Sequence, residues 1–415
     1  MTLATIFADF ADHLRSDEFL QSARHGAHPT AFTRCRKLPL SSLIAVLLTG
    51  MRMSVQAELD TFFAHLRQQA QLMRHVSAQA FAQARAKVEM TALPQLNDWL
   101  IARAERDGLV PRWQGLRLVA ADATTVRFGL RVSHVGRAAA TNQIAFGLFL
   151  PGAELMLAAS LHGVHEHGER QMLFEHLYRL GSTDLLLLDR GYPCRWLVAT
   201  LNQRGIPFCM RVDSTGFACV RDFLRAGLDD QVVTLRAPDQ HDARDYECHR
   251  QPHAVRLVRT VVGNGRVYVL MTNLLDTARF PVVGFGALYH RRWRIEEAFK
   301  RLKHRLNLEH VSGLSQHAVM QDVAAKILTD NLEALAVQAA HDLAKLPIDQ
   351  RINRAYTHTL MKPLLPALLA GKRLGTLLKK ALALIAREVS LHRENLSKPR
   401  KSRPKPHKFM TQKQC

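Results

Sequence analysis

The sequence predicts a mixed α/β core flanked by helical regions. Three observations carry this. Short β-rich segments begin near residue 115, where LRLVAADATTVRF, NQIAFGLFLPG and ELMLAASLHG follow one another. Helix and strand patterns then alternate to about residue 212. Residues 1–110, and the stretch from Leu288 to about 395, instead repeat their apolar residues at the helical period.

In the first region, Ser54 is placed to cap a helix that buries Val55, Leu59, Phe62 and Leu66. Ser77 is placed to cap a second, VSAQAFAQARAKV, with Phe81, Ala84 and Val88 inward. Its other face carries Gln79, Gln83, Arg85 and Lys87, side chains suited to base edges and phosphates, or to a solvated face. In the core, Pro151-Gly152 predicts a turn joining two of the β segments. Glu169 to Leu180 reads as a helix, DLLLLDRGY as a dense strand, PCRWLVATLNQRG as a helix beginning at Pro193, and PFCMRV as a strand. Residues 213–283 interrupt this layer with three strand patterns, VVTLRA, AVRLVRTVVGNG and RVYVLMTNLL, and Asn264-Gly265 reads as a hairpin turn. One helix is predicted over YHRRWRIEEAFKRLKHRL. The tail from Ser397 holds seven Lys/Arg and no acid, and reads as a disordered basic arm. The expected domains are 1–110, 111–345 and 346–415.

Composition excludes several classes. With 415 residues, 47% hydrophobic and 22% charged, the chain has material for a sizeable core and none of the bias of a disordered or collagen-like protein. The apolar run Leu38–Met51 is broken by Pro39, Ser41, Ser42 and Thr49 and falls short of the ~18 residues of a membrane span. The first residues, MTLATIFADFADHLRSDEF, carry acids and no basic start, unlike a secretory leader. Six scattered cysteines without a CxxC pair suit free thiols in a reducing cytoplasm. The charge is the informative quantity. Lys+Arg 57 against Asp+Glu 36 leaves +21, which points to a polyanionic partner, nucleic acid first.

Tyr289, Arg292, Glu296, Lys300 and Lys303 are spaced 3, 4, 4 and 3, and on a regular helix share one face. Ile295, Phe299, Leu302 and Leu306 form a second, buried stripe. Spacing alone also fits a surface helix with i,i+4 ion pairs. Two aspartates add to it: Asp122 closes the first strand and Asp189 the fourth, where α/β sheets gather ligand groups. Asp184 begins its strand, and Glu297 points about 100° away from Glu296, so both are set aside. Three carboxylates on two strand ends and a helix suit two Mg²⁺ ions, with Mn²⁺ as a substitute. Such a pair, about 3.5–4 Å apart, serves in-line displacement at phosphorus. His162, His165 and His167 read as loop residues beyond a strand. His241, Cys248, His249 and His253 fit no common zinc-finger spacing, and Cys194 reads as a small buried residue.

The stretch Tyr289-x₂-Arg292-x₃-Glu296-x₆-Lys303 resembles the Tyr-Arg-Glu-Lys signature of the bacterial insertion-sequence-four family of DDE transposases. DAT at Asp122–Thr124, DRGY at Asp189–Tyr192 and the N-terminal TRCRKLPLSSLIAVLL and VSAQAFAQARAKV are similar too, so the resemblance runs over roughly residues 15–340. It implies a ribonuclease-H-like core with Asp122, Asp189 and Glu296 as the catalytic, metal-binding triad, and a β-rich insertion between the second Asp and the Glu. It implies DNA-phosphate contacts from Tyr289, Arg292 and Lys303. Lys300, on the same face, joins them, and Arg190 with the amides of Gly191 and Tyr192 is placed for another phosphate. The implied activity is transposition: hydrolysis at a transposon end, then attack of the freed 3′-OH on target DNA. The implied partners are double-stranded DNA, as terminal inverted repeats and target, and a second copy of the chain in a synaptic homodimer on the bacterial nucleoid. The alternatives are a catalytically inactive or domesticated DNA-binding derivative, and a nuclease that joins no strands. Some relatives stack a flipped base on a Trp of the insertion. Here 213–283 has none, and Phe217, Phe223, Tyr246 or Tyr268 would substitute.

Overall fold

Six helices come first in the computed structural model: α1 (Leu3–His13), α2 (Asp17–Ser22), α3 (Leu40–Leu48), α4 (Val55–Leu66), α5 (Ala78–Arg85) and α6 (Ala92–Arg106). Then come β1 (Arg112–Trp113), β2 (Leu116–Arg127), β3 (Asn142–Leu150), β4 (Leu155–Gly163), α7 (Glu169–His176), β5 (Asp184–Leu188), α8 (Arg195–Gln203) and β6 (Phe208–Val212). The next stretch holds α9 (Ala218–Arg225), β7 (Asp230–Leu235), α10 (Gln240–Asp245), β8 (His253–Val261) and β9 (Val267–Thr272). The chain continues with α11 (Val283–His290), a 3₁₀ turn at Arg291–Trp293, α12 (Arg294–His304), α13 (Gln316–Leu343), β10 (Gln350–Ile352), α14 (Arg354–Leu369), α15 (Leu374–Ile385) and β11 (Val389–Leu391). The described residues are 3–34, 37–67, 69, 71–129, 138–261, 265, 267–347, 350–369 and 374–391. The basic tail and Asn264 of the expected hairpin turn lie outside them.

Two compact units emerge. One comprises Met1–Asp107, Val126–Gln143 and Lys300–Cys415, the other Gly108–Thr125 and Ile144–Phe299. The second unit is built on the sheet, whose strand order is β4-β3-β2-β5-β6-β9-β8-β7, with β1 paired to β2. β2, β5 and β6 run parallel. A strand in that position is covered on both faces, and Leu185 to Leu188 of β5 are each 0% exposed. Burying each leucine contributes roughly 1.5–3 kcal/mol, which is why this strand reads as a continuous apolar run.

Residues 213–283 do not interrupt the layer as the sequence suggested. β9 pairs antiparallel with β6, Cys209 against Thr272, and β8 and β7 extend the same sheet. The segment also holds α9 and α10, of eight and six residues, too short for a period to register, although Val220 and Phe223 are buried from α9. The expected single helix is also divided. α11 starts at Val283, and the 3₁₀ turn separates it from α12. A 3₁₀ turn winds three residues per turn rather than 3.6, so the helix phase shifts. Tyr289 still lies beside Arg292, with the guanidinium 5.9 Å from its ring centroid, and both side chains are buried. α8 begins at Arg195 rather than Pro193, because Cys194 is still extended (φ −156°, ψ 161°).

In the helical unit, α13 packs against α3, α6, α14 and α15. Its buried polar residues are paired: Asp330 accepts from Arg301 and Arg354, and Asp322 from Arg85. Ser77 caps α5 by accepting from the Ala80 amide at 3.1 Å, as its position predicts. Arg85, expected on the DNA-facing side of α5, is instead 4% exposed and donates to Gln321, Ser312, Asp322 and the Ala318 carbonyl. The acid on α13 draws it inward, while Gln79 and Gln83 stay exposed.

Candidate active site

The site starts from strand register. β2 and β5 pair in parallel, with Arg117 beside Asp184 and Ala120 beside Leu187. The last pair stands two residues before Asp122 on one chain segment and two before Asp189 on the other, and the charge of Asp189 reaches the Asp122 carboxyl. β2 itself runs on to Arg127, so Asp122 lies mid-strand rather than at the strand end expected from sequence. What ends there is its pairing with β5, whose last residue is Leu188. Asp184 sits at the opposite end of β5, is 3% exposed, and takes two bonds from Arg117 at 2.6 and 2.9 Å. Its role is to lock register.

Arg292 joins the third acid to the first. Its Nη2 donates to Glu296 Oε1 at 2.9 Å, and its Nη1 lies 3.8 Å from Asp122 Oδ2. The guanidinium is buried and sits 5.3 Å from the Trp293 ring centroid. Burial pushes the Asp122 carboxyl up to about 7. Arg292 and the Ala123 amide (2.9 Å) pull it back, while the charges of Glu296 and Asp189 push it further up. The three acids therefore share one electrostatic environment, all within the sheet unit.

Two side chains to which the sequence reading gave no role, those of Glu169 and Tyr192, lie close to these acids in electrostatic terms. Burial, and then the charge of Asp189, raise the Glu169 carboxyl above its ordinary range. Gly191 separates the two acids: a Cβ there would lie 3.1 Å from Asp189 Oδ1 and 3.9 Å from Glu169 Oε2. Tyr192 is fully buried, and its Oη has no hydrogen-bond partner among the described residues. Burial, then the charges of Glu169, Asp122 and Asp189, hold that phenol protonated. No spacing ties Glu169 to Asp189; its one signal is that it opens the helix after the third β segment.

The remaining predicted residues are placed as follows. Tyr289 is buried near Arg292, and burial raises its phenol. Lys300 is exposed and Lys303 half-buried on the later turns of α12, which fall in the helical unit. Arg190 is exposed, with Nη1 3.8 Å from Asp213 Oδ2. The amides expected to hold a phosphate beside it serve Asp189 instead: Gly191 N–H donates to Oδ1 at 2.8 Å and Tyr192 N–H to the Asp189 carbonyl at 3.4 Å. Glu297 is exposed and pairs with Arg294 at 3.5 Å. Among the aromatics weighed for base stacking, Phe223 is fully buried and Tyr246 stacks on Trp196 at 3.6 Å. Tyr268 lies under Arg211 at 4.0 Å, and Phe217 is half-buried. His241 pairs with Asp245, Cys248 is buried and His253 opens β8.

The donor set at Asp122, Asp189 and Glu296 is all carboxylate oxygen, which suits a hard divalent cation. The space kept open at Gly191 and the unpartnered Tyr192 hydroxyl fit such an occupant. The acids stand wider than a one-ion site: among the described residues, the three groups whose ligating atoms all lie within 4.8 Å are His162, His167 and Glu175. A cavity of about 410 Å³ in the helical unit, lined by Arg52, Glu58 and Lys362 among others, holds none of the three acids. Among the described residues no helix is long and apolar enough to cross a membrane.

A TM-score of 0.41 at 10% identity relates the structure to a piggyBac transposase synaptic complex with hairpin DNA, over 98% of this chain and 88% of that one. Transposase InsG of insertion sequence element IS4 from Escherichia coli K12 is 24% identical over 233 residues. That alignment covers 54% of this chain and 52% of InsG, about half the length of each. The profile of the transposase DDE domain matches residues 113–332, a span that holds Asp122, Asp189, Glu296 and the whole Tyr-Arg-Glu-Lys series. The chain belongs to the transposase DDE domain family.

Proposed function

We propose that this protein is an insertion-sequence transposase that binds transposon-end DNA and catalyses metal-dependent strand cleavage and strand transfer. The observation that carries the reading is the convergence of Asp122, Asp189 and Glu296 through the β2/β5 register and Arg292. A ribonuclease-H-like core is supported by the strand order β4-β3-β2-β5-β6, with β2, β5 and β6 parallel and the acids on β2, just after β5 and on a later helix. Asp122, Asp189 and Glu296 would hold two Mg²⁺ or Mn²⁺ ions. Such ions would supply activation of an attacking oxygen and stabilisation of a leaving one at phosphorus. Arg292 offsets the mutual repulsion of the acids and is placed to meet a phosphate drawn into them. Tyr289, buried beside it, supports that arginine. Exposed Arg190 on the sheet unit is one phosphate contact in this reading, and exposed Lys300 with half-buried Lys303 on the helical unit are others. The partners in this reading are terminal inverted repeats and target DNA, and a homodimer that brings two ends together on the bacterial nucleoid.

The test is an excision assay in cells, with a marker flanked by the DNA bordering this reading frame. Wild type mobilises the marker, and Glu296→Ala lowers excision to background. Equal excision by both removes Glu296 from the chemistry. Binding of the flanks without excision by wild type points to the inactive, DNA-binding derivative.

Lys300 and Lys303 give a second expected result. Each phosphate contact contributes about 0.9 to the slope of log affinity against log salt. Lys300→Ala/Lys303→Ala should therefore lower that slope by about 2 in a KCl series of anisotropy titrations on end DNA. An unchanged slope removes both lysines from the interface.

A further inference from the structure

We propose that His162, His167 and Glu175 form a second metal site, for a zinc-type ion, distinct from the acid triad. His162 lies at the end of β4, His167 in the connection to α7, and Glu175 within α7. Their ligating atoms lie within 4.8 Å of one another. His167 Nε2 is 3.9 Å from Glu175 Oε1, and the His162 and His167 rings meet edge-on with centroids 5.8 Å apart. Two imidazoles and one carboxylate favour a borderline ion such as Zn²⁺ or Co²⁺ over Mg²⁺. Zinc ligands stand about 2.0–2.2 Å from the ion, so the set must close further. His167 and Glu175 are exposed and free to do so, whereas His162 is buried.

The ring of His162 is held from behind. Ser160 Oγ lies 2.7 Å from His162 Nε2 and 2.9 Å from His176 Nε2. Of the two directions open to this relay, the one that frees His162 Nδ1 for an ion has His162 Nε2–H donate to Ser160, whose hydroxyl donates to His176 Nε2. His176 is itself fixed, stacked on Phe146 at 5.3 Å. The lone pair of His162 then sits on Nδ1, and Ser160 orients the ligand as outer partners of metal-bound histidines do. The loop adds a brace, since Glu166 Oε2 accepts from the Gly163 amide at 2.7 Å. An ion here would tie the end of β4 to the second turn of α7 across the loop that delivers Glu169 beside Asp189. It would thus position the rim of the acid cluster without touching the reacting phosphate.

The experiment uses the untagged full-length chain, stripped with a chelator and titrated with Co²⁺ as the probe. Wild type should develop the visible absorption of histidine-ligated cobalt at one equivalent, reversed by Zn²⁺. His167→Ala and Glu175→Gln, both at exposed positions, should each weaken Co²⁺ binding at least about tenfold with unchanged circular dichroism. Ser160→Ala, which leaves the ligands in place, should weaken it by about 10–100-fold. Asp122→Asn/Asp189→Asn should bind Co²⁺ with the same spectrum as wild type. Three results overturn the proposal: no cobalt spectrum in wild type, a spectrum retained in both His167→Ala and Glu175→Gln, or its loss in Asp122→Asn/Asp189→Asn.

Discussion

Asp122→Asn is expected to abolish Mg²⁺-dependent cleavage of end DNA and, in metal-free protein, to raise the melting temperature at pH 8. The loss should be at least ~10³-fold, equivalent to about 4 kcal/mol of transition-state stabilisation. The amide keeps the shape of the side chain but removes the charge a cation needs. The stability effect follows from burial. The carboxyl titrates at about 7 in the folded chain and near 3.9 when unfolded. Between those values the folded state holds a proton that the unfolded state has released. Stability from this group is therefore greatest below about pH 4 and is lost as pH rises to about 7. At pH 8 the wild type carries the full penalty of a buried charge, and Asn carries none. The gain should be at least about 2–4 °C, as 1 kcal/mol gives for a domain of this size. It should shrink at pH 5 and vanish when Mg²⁺ stabilises the wild type. Melting curves at the two pH values, with and without Mg²⁺, check it. A lower melting temperature for Asp122→Asn at pH 8 would mean that the Arg292 pairing outweighs burial.

Asp330→Asn is expected to be the most damaging single change in the helical unit. Asp330 is 2% exposed and accepts from Arg301 at 2.8 and 2.9 Å and from Arg354 at 3.0 Å. Burial alone would raise its carboxyl; the two arginines outweigh burial and hold it below the ordinary range. Its contribution is thus present above about pH 4 and is lost as pH falls through the lowered value. Removing the charge leaves two nearly buried guanidinium groups without their anion. Breaking a buried pair in this way costs about 3–5 kcal/mol. The melting temperature should fall by about 10 °C. The triple replacement Asp330→Leu/Arg301→Met/Arg354→Met should recover much of that loss, because no charge then remains buried. Urea denaturation of the three proteins at pH 7 separates the contributions. A loss below 1 kcal/mol for Asp330→Asn would show the triad to be solvated.

The helical flanks and the α/β core were legible in the chain, for local reasons. Leu185–Leu188 announce a strand covered on both faces, Ser77 announces a helix start, and Asp189 after four leucines is hard to explain by packing. The four-residue series with its fixed gaps points to the family whose profile matches residues 113–332. Non-local contacts were not legible. Arg85 looks like a surface residue until Asp322, 237 positions away, draws it inward. The β7–β9 strands look like an interruption until β9 pairs with β6. Tyr289 and Arg292 look like members of an exposed polar stripe until the fold buries both of them. Glu169 and Tyr192 enter the site only because α7 and the turn after β5 meet around Gly191. Periodicity and residue type are properties of neighbours in sequence, and they determine which segments are helices, strands or charged strand ends. Burial, register and electrostatic coupling depend on neighbours in space, and only the tertiary structure decided those.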